Sequence, residues 1–192
     1  MQNIIYKIDF FDFWHTGSGL AGSTYADSLV IKNENSLPII PGKTLKGLLR
    51  EAAQELHKLD ENLVTKHFIN TIFGVQPEKN NNRNPTANEG LCFFSNATLS
   101  KNLSDKLESN FEQKQQLYQV LSSTAIDSNG QAKEGSLRQL EVTIPLSLYA
   151  QIVDFPNDAA SKNQLEHCLN WIKQLGLNRN RGLGRCHLSI IP

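Results

Sequence analysis

Alternation of hydrophobic and polar positions dominates the start of the chain. Between residues 2 and 13, the apolar side chains that share one face are Ile4, Tyr6, Ile8 and Phe10. A period of two is typical of a β-strand with one buried face, so a strand is predicted there. Alternating or short apolar runs predict further strands at 28–32, 91–99, 138–153 and 186–191.

Helical spacing first appears after the turn at Pro41. Leucine and alanine recur every three or four positions from Leu45 to Leu56, which predicts an amphipathic helix with Thr44 as its N-cap. Similar spacing predicts further helices at 61–73, 104–121 and 161–175.

The order of these elements predicts the fold class. Strands and helices alternate with hairpin-like insertions, which favours an α+β sandwich of the ferredoxin-like or RRM-like type. The polar segment 76–90 is predicted to be a surface loop, and Asn129-Gly130 is a dipeptide typical of a hairpin turn. The chain has 192 residues, which is the length of one domain, so a single domain over 1–192 is predicted.

Composition excludes several classes of function. Lys and Arg together number 19, as do Asp and Glu, so the net charge is zero and a histone-like tail binder is excluded. Nucleic-acid binding stays open, because phosphate contacts require only a local basic stripe. The three cysteines form no CxxC pair, which disfavours a cysteine-rich zinc site and fits a reducing compartment. The N-terminus does not resemble a signal peptide, and no apolar run approaches the ~20 residues that span a bilayer, so we expect a cytoplasmic protein without a membrane partner.

Two glycine-containing segments imitate nucleotide-binding motifs. Residues 17–22 match G-x-G-x-x-G, but strand-like residues follow where a dinucleotide site requires a helix. Gly42-Lys43-Thr44 imitates the end of a P-loop, yet Leu37 occupies the position of the required first glycine. Neither motif therefore predicts a nucleotide site.

Two basic segments are candidates for binding RNA phosphates. In the first, Lys43, Lys46 and Arg50 lie near the start of a predicted helix, whose open N–H groups attract anions. A capped and solvated helix is the alternative. In the second, residues 176–185 combine three arginines with three glycines and no acid, which suits a nucleic-acid backbone because arginine pairs with phosphate and glycine allows close approach. A flexible solvated turn is the alternative, and otherwise we expect both segments to grip one sugar–phosphate chain.

Two further side chains are candidates for chemistry. His15 follows the first strand and is a candidate general base or acid; a hydrogen bond to a loop carbonyl or stacking on a base are the alternatives. Asp27 lies in a loop rich in glycine and hydroxyl groups, where a carboxylate can hold a metal ion or accept a proton from a ribose hydroxyl. A turn-forming aspartate is the alternative for Asp27.

Four segments taken together resemble the RAMP superfamily of CRISPR-associated proteins. They occur in family order and cover roughly half of the chain: WHTGSG, ADSLVIKNENSLPIIPGKTLKGLLREA, TAIDSNGQAKEGSLRQLEVTIPLSLYAQI and GLNRNRGLGR. The likeness is greatest to the single-domain backbone subunits of type III effector complexes, with subtype D as the suggested subtype. The polar insertion 76–90 and the zero net charge depart from the pattern.

The resemblance implies a ferredoxin-like core with a projecting hairpin, the thumb, at about 122–141. It also implies antiviral defence by subunits stacked along a CRISPR guide RNA, with target RNA and the other subunits of the complex as partners. Asp27 would cut target RNA with a divalent metal, expected to be Mg²⁺, and Leu137 or Leu140 would be inserted between nucleotides. The residues predicted to contact RNA are His15, Lys43, Lys46, Arg50, Arg138, Arg179, Arg181, Gly182, Gly184 and Arg185.

Two other functions remain open at this point. The first is a purely structural guide-binding subunit with the same fold and no cleavage. The second is a metal-independent endoribonuclease that processes the guide RNA and uses His15 as general base.

Overall fold

A computed structural model describes residues 1–20, 22, 25–75 and 89–191. In chain order its elements are β1 (Gln2–Phe10), α1 (Gly42–Leu59), α2 (Lys66–Phe73), β2 (Phe93–Phe94), α3 (Lys101–Glu108), α4 (Phe111–Gln115), β3 (Tyr118–Ser123), β4 (Arg138–Thr143), β5 (Ser147–Phe155), α5 (Ala159–Trp171) and β6 (Cys186–Ile190), with a 3₁₀ helix at Arg179–Arg181.

The central sheet is antiparallel and has the strand order β2-β5-β1-β6. The elements β1, α1, β2, β5, α5 and β6 follow the βαββαβ sequence of a ferredoxin-like fold, and the β3–β4 hairpin is inserted before the third strand. The predicted α+β class with a projecting hairpin is therefore confirmed. None of the helices in the described ranges is both long and apolar enough to cross a membrane.

One face of the sheet and the helices above it form the core. The four alternating side chains of β1 predicted to point inward are each at most 5% exposed. The apolar face of α1 is buried as predicted, at Leu45, Leu49, Ala52, Ala53 and Leu56.

The start of α1 differs from the prediction. Pro41 is the N-cap and offers no side-chain hydrogen bond, and Thr44 is the third residue of the helix. The N–H of Gly42 donates to the Asn96 side chain at 2.9 Å. A Cβ on Gly42 would lie 2.0 Å from the Phe94 carbonyl oxygen, so glycine is required for this close packing.

Several predicted elements are replaced by shorter ones. The strand expected at 91–99 is reduced to β2, with single bridges at Ala97 and Thr98. The helix expected at 104–121 is split into α3 and α4 by Asn110, which caps α4, and its last residues form β3 instead. The strand expected at 138–153 is divided into β4 and β5, which belong to different sheets, and Pro145 in the break has no N–H for a ladder. Residues 28–32 make only single bridges, to Gly17, Pro38 and Leu140. Local signals at Asn110 and Pro145 break the predicted elements, and long-range pairing with β4 makes a strand of 118–123.

The predicted polar loop 76–90 is only partly described. Glu89 bridges Gly74 at the end of α2. Residues 76–88 lie outside the described ranges, as do three residues of the first glycine-rich loop.

The three cysteines are buried, which leads to a prediction about their reactivity. Burial raises the pKa of Cys92 to about 11 and those of Cys168 and Cys186 to about 12. Because the thiolate is the reactive form, we expect no reaction with a thiol reagent at pH 8 while the chain is folded. All three should react in guanidinium chloride, as measured by the absorbance of the released thiol chromophore. Rapid labelling of the folded chain would contradict this packing.

Candidate nucleic-acid interface

A β-hairpin projects from the core as residues 118–143, here called the thumb. Its arms β3 and β4 pair from Tyr118 opposite Thr143 to Ser123 opposite Arg138. At the tip, the Asp127 carboxylate accepts two backbone N–H groups of the turn, and Gly130 adopts a φ of 78°. Residues 122–135 are all exposed. The thumb is therefore anchored at its base, and its tip is accessible to a ligand.

An open groove with a volume of about 680 Å³ lies between the thumb and the C-terminal arginine loop, and is here called the thumb groove. Asp27 lies at its edge. Its cationic side chains are Lys133, Arg138 and Arg181, and its apolar side chains are Leu137, Leu140 and Leu177. This mixture suits a nucleotide chain, because cations pair with phosphates and apolar groups contact bases.

Asp27 is exposed and fixed to the thumb. Its Oδ2 accepts the backbone N–H of Gln139 at 2.7 Å, and its own N–H donates to the Gln139 carbonyl at 2.8 Å. Among the described residues, the second carboxylate oxygen, Oδ1, accepts no hydrogen bond from protein. The backbone thus orients one carboxylate oxygen, and the residue lines the groove.

His15 is buried, contrary to its prediction as an RNA contact. The ring is 0% exposed, with Nδ1 2.6 Å from the Glu141 carbonyl oxygen and Nε2 3.2 Å from Ser28 Oγ. A carbonyl oxygen only accepts, so Nδ1 carries the proton in the neutral ring and Nε2 accepts from Ser28. His15 thus joins the Asp27 segment to the thumb. Neither direct RNA contact nor the role of general base fits this position, because no ring atom reaches the surface.

Four residues of the arginine loop, residues 176–185, have positive φ: Gly176, Asn178, Gly182 and Gly184. Asn178 and Gly182, with φ of 58° and 85°, flank the short helix that carries Arg179 and Arg181. A second open groove of about 430 Å³ is lined by these two arginines and by Arg138. Arg138 and Arg181 border both grooves. The thumb and the arginine loop therefore present one cationic surface.

Two predicted RNA contacts in this loop also make contacts within the chain: Gly184 is buried in a structural role, whereas Arg185 is exposed and its RNA contact stays a prediction. The N–H of Gly184 donates to the Phe13 carbonyl at 2.7 Å, and a Cβ at this buried glycine would lie 1.9 Å from the Leu175 carbonyl oxygen. The Nε of Arg185 is 3.1 Å from Asp12 Oδ2, and its guanidinium lies over the Phe11 ring. Neither residue lines the thumb groove. Gly182 is exposed, and no atom lies within 4 Å of the position that a Cβ would take. Its contact with RNA stays a prediction.

The basic residues of α1 lie elsewhere. Lys43 is exposed, and Lys46 places its ammonium 5.8 Å from the centroid of the Phe94 ring. Arg50 is half-buried and its Nη2 donates to the carbonyl of Phe73, the last residue of α2. Arg50 therefore ties two helices together and its predicted contact with RNA is not supported.

The opposite flank of α1 borders the arginine loop. Leu48, Glu51 and Glu55 line a groove that also contains Arg179. At 3.6 residues per turn, this flank is roughly 150° around the helix from Lys43 and Lys46. The two basic segments consequently do not line the same groove, and their joint grip on one sugar–phosphate chain stays a prediction.

A buried ion pair near Asp27 was missed from the sequence. Glu141 is 2% exposed, and its Oε1 is 2.8 Å from Lys32 Nζ, which also lies 3.9 Å from the centroid of the Tyr118 ring. The pKa values of Tyr118 and Tyr25 are both raised. The larger cause is burial and the smaller one is the negative charge of Glu141. No local pattern signals this pair, since its partners are separated by 109 positions. The contribution of Lys133 to the groove was missed for a similar reason, because the hairpin pairing decides it.

Asp27 is the candidate metal ligand in the thumb groove, and Glu134 is a second carboxylate in its lining. Within the described ranges, no three His, Cys, Asp or Glu side chains are grouped to hold a metal ion. Mg²⁺ is commonly bound through one or two carboxylates together with substrate phosphates and several waters. The single oxygen offered by Asp27 fits that kind of shared site, and does not fit a cage made by protein alone.

Comparison with known proteins agrees with this fold. A model of the RAMP superfamily matches residues 7–187. Chains from two solved structures of Type III-B Cmr-beta are similar at 12% identity: one bound to cognate target RNA, with a TM-score of 0.69 over 99% of this chain and 97% of that chain, and one in the apo state, with a TM-score of 0.70 over 98% and 97%. At this identity the likeness shows the fold alone, and subtype D stays a prediction. No match is found among curated proteins. Since the family model spans most of the sequence, the chain belongs to the RAMP superfamily.

Proposed function

We propose that this chain is a guide-RNA-binding backbone subunit of a type III CRISPR effector complex, and that Asp27 cuts the target RNA. The observation that carries the proposal is the exposed Asp27 carboxylate, fixed at the base of a projecting thumb beside a groove lined by cations. Membership of the RAMP superfamily and the fold shared with chains of a Type III-B complex bound to target RNA support the assignment.

Guide binding of this kind should not depend on base sequence. The groove presents two arginines and a lysine, which suit phosphates, and three leucines, which suit base faces, and neither kind of contact reads the base sequence. Asp27, Glu134 and several uncharged polar residues line the rest of the groove. The zero net charge is compatible with RNA binding, because Lys133, Arg138, Arg179 and Arg181 are concentrated on one surface. A positive net charge of the whole chain is therefore not required for binding a guide RNA.

The proposed cleavage uses two residues on the thumb side of the groove, Leu137 and Asp27. Leu137, which is 63% exposed on the thumb, would displace a nucleotide from its stack at a cost of a few kcal/mol. The neighbouring phosphodiester could then align for attack by the adjacent ribose 2′-hydroxyl, which would form a 2′,3′-cyclic phosphate and break the P–O5′ bond. The departing 5′-oxygen would take a proton from water. Asp27 Oδ1 would orient that hydroxyl or accept its proton. Asp27 would also hold a divalent metal, which supplies charge stabilisation at the phosphate when it is bound.

Replacing Arg138 and Arg181 by alanine tests the RNA-binding surface. We expect weaker binding to RNA of any sequence, and a slope of log K against log salt that falls by about one for each lost phosphate contact. The measurement is filter binding of the assembled complex to labelled RNA at several salt concentrations. Lys162→Ala, an exposed cation on α5, is the matched control and should leave the slope unchanged. If the arginine variant and the Lys162→Ala control have equal salt slopes, RNA does not contact this groove through Arg138 and Arg181.

A structural subunit without cleavage is the alternative within the same fold. It would retain the guide contacts and the salt dependence of binding, but alanine at Asp27 would change nothing because there would be no cutting to lose. Purification of the complex with RNA of defined length would support guide binding in either case. Purification of the assembled subunits without any RNA would contradict both functions.

A further inference from the structure

Glu141 is a buried acid that has no part in the function proposed above. Its side chain is 2% exposed within strand β4 of the thumb. Oε2 accepts the backbone N–H of Val30 at 2.9 Å, and Oε1 accepts from Lys32 Nζ at 2.8 Å. Both carboxylate oxygens are thus bound to the segment that directly follows Asp27.

The same segment is attached to β4 through its main chain. The Asp27 N–H donates to the Gln139 carbonyl at 2.8 Å, and the Glu141 N–H donates to the Ser28 carbonyl at 3.1 Å. The His15 ring adds a third link, since it bridges the Glu141 carbonyl and the Ser28 hydroxyl. The Asp27 segment therefore lies along the thumb strand like a short additional strand.

This attachment depends on side chains more than a regular sheet does. The two segments form only a single parallel bridge, between Ser28 and Leu140, and no extended ladder. Charge-assisted hydrogen bonds from a buried carboxylate are about twice as strong as neutral ones. Glu141 is therefore well placed to hold the segment in one register, two residues beyond the Gln139 N–H that binds the Asp27 carboxylate.

We propose that Glu141 is a positioning residue for Asp27. Its carboxylate locks residues 27–32 against β4, so that the cutting carboxylate and the nucleotide-displacing thumb keep a fixed relative position. Glu141 itself is buried and does not touch RNA. The inference rests on the proposed cleavage by Asp27 and adds the residue that determines its geometry.

The test is a set of variants in the assembled complex. Glu141→Gln preserves volume and can still accept one hydrogen bond, but its amide then presents a donor to Lys32 or to Val30. A displacement of about 1 Å can cost about 100-fold in rate, so we expect single-turnover cleavage to slow by about 10- to 100-fold. The RNA concentration for half-saturation should be unchanged, and amide hydrogen exchange at Val30 should be faster. Lys32→Met combined with Glu141→Gln removes the conflicting donor and should recover part of the rate.

Two controls separate this inference from the proposed function. Glu166→Gln, on the exposed side of α5, should match the wild type in cleavage and exchange. Asp27→Ala reports whether the carboxylate cuts at all. If Asp27→Ala is inactive and Glu141→Gln cleaves at the wild-type rate, positioning by Glu141 is refuted while the cleavage assignment stands. If Asp27→Ala still cleaves, both assignments are refuted.

Discussion

Alanine in place of Asp27 is expected to abolish cutting of target RNA by the assembled complex and to leave RNA binding unchanged. The side chain is exposed at the groove and supports no core packing, so the fold should tolerate its loss. Removing a residue that moves a proton costs about 100- to 10,000-fold in rate, and the loss of a metal ligand adds to that. The measurement is single-turnover cleavage of labelled target RNA, with binding followed in parallel.

Asparagine at Asp27 refines this test. Its amide oxygen can still accept the Gln139 N–H, so the segment should stay in place while the negative charge is lost. We expect Asp27→Asn to be nearly as inactive as Asp27→Ala, and a chelator to stop cleavage by the wild type without releasing RNA. Asp105→Ala, an exposed acid on α3, serves as the matched control. Full activity of Asp27→Asn would show that the negative charge is not needed for cleavage. Cleavage in the presence of the chelator would show that no divalent metal is required.

A methyl group at Gly184 is expected to destabilise the chain more than one at Gly182. The φ angles are positive at both glycines, 73° at Gly184 and 85° at Gly182. An alanine in this region lowers the free energy of unfolding by roughly 1–2 kcal/mol. At Gly184 the Cβ would also lie 1.9 Å from the Leu175 carbonyl oxygen, whereas at Gly182 no atom lies within 4 Å. Overpacking adds about 1–3 kcal/mol, so Gly184→Ala should lose roughly 2–5 kcal/mol of unfolding free energy.

The comparison of the two glycine variants also probes the arginine loop. Denaturant unfolding of each variant gives the difference in stability directly. Because Gly184 joins the loop to Phe13, its alanine variant should also weaken RNA binding by displacing Arg179 and Arg181. Gly182→Ala should retain the fold. Equal midpoints for the two variants would mean that the contact between Gly184 and Leu175 is not tight in solution.

The sequence by itself was informative about elements that are stabilised locally. The period-two pattern of β1 and the apolar face of α1 are both buried as predicted, because each depends on residues close together in the chain. The glycine and arginine content of 176–185 likewise indicated an exposed cationic loop. Asp27 was a candidate from the composition of its loop, the resemblance to the RAMP superfamily implied its role in cutting, and that chemistry is still a proposal.

Only the tertiary structure decided which side chains reach the surface of the site. His15 and Arg50 looked like RNA contacts in the sequence, yet one is enclosed between the thumb and the Asp27 segment and the other binds the end of α2. Strand β3 formed where a helix was predicted, because its partner β4 is provided by residues about twenty positions later. The pair of Lys32 and Glu141 lies across 109 positions. Local spacing determines which face of an element is apolar, whereas burial of a polar side chain depends on the long-range partner that satisfies its hydrogen bonds.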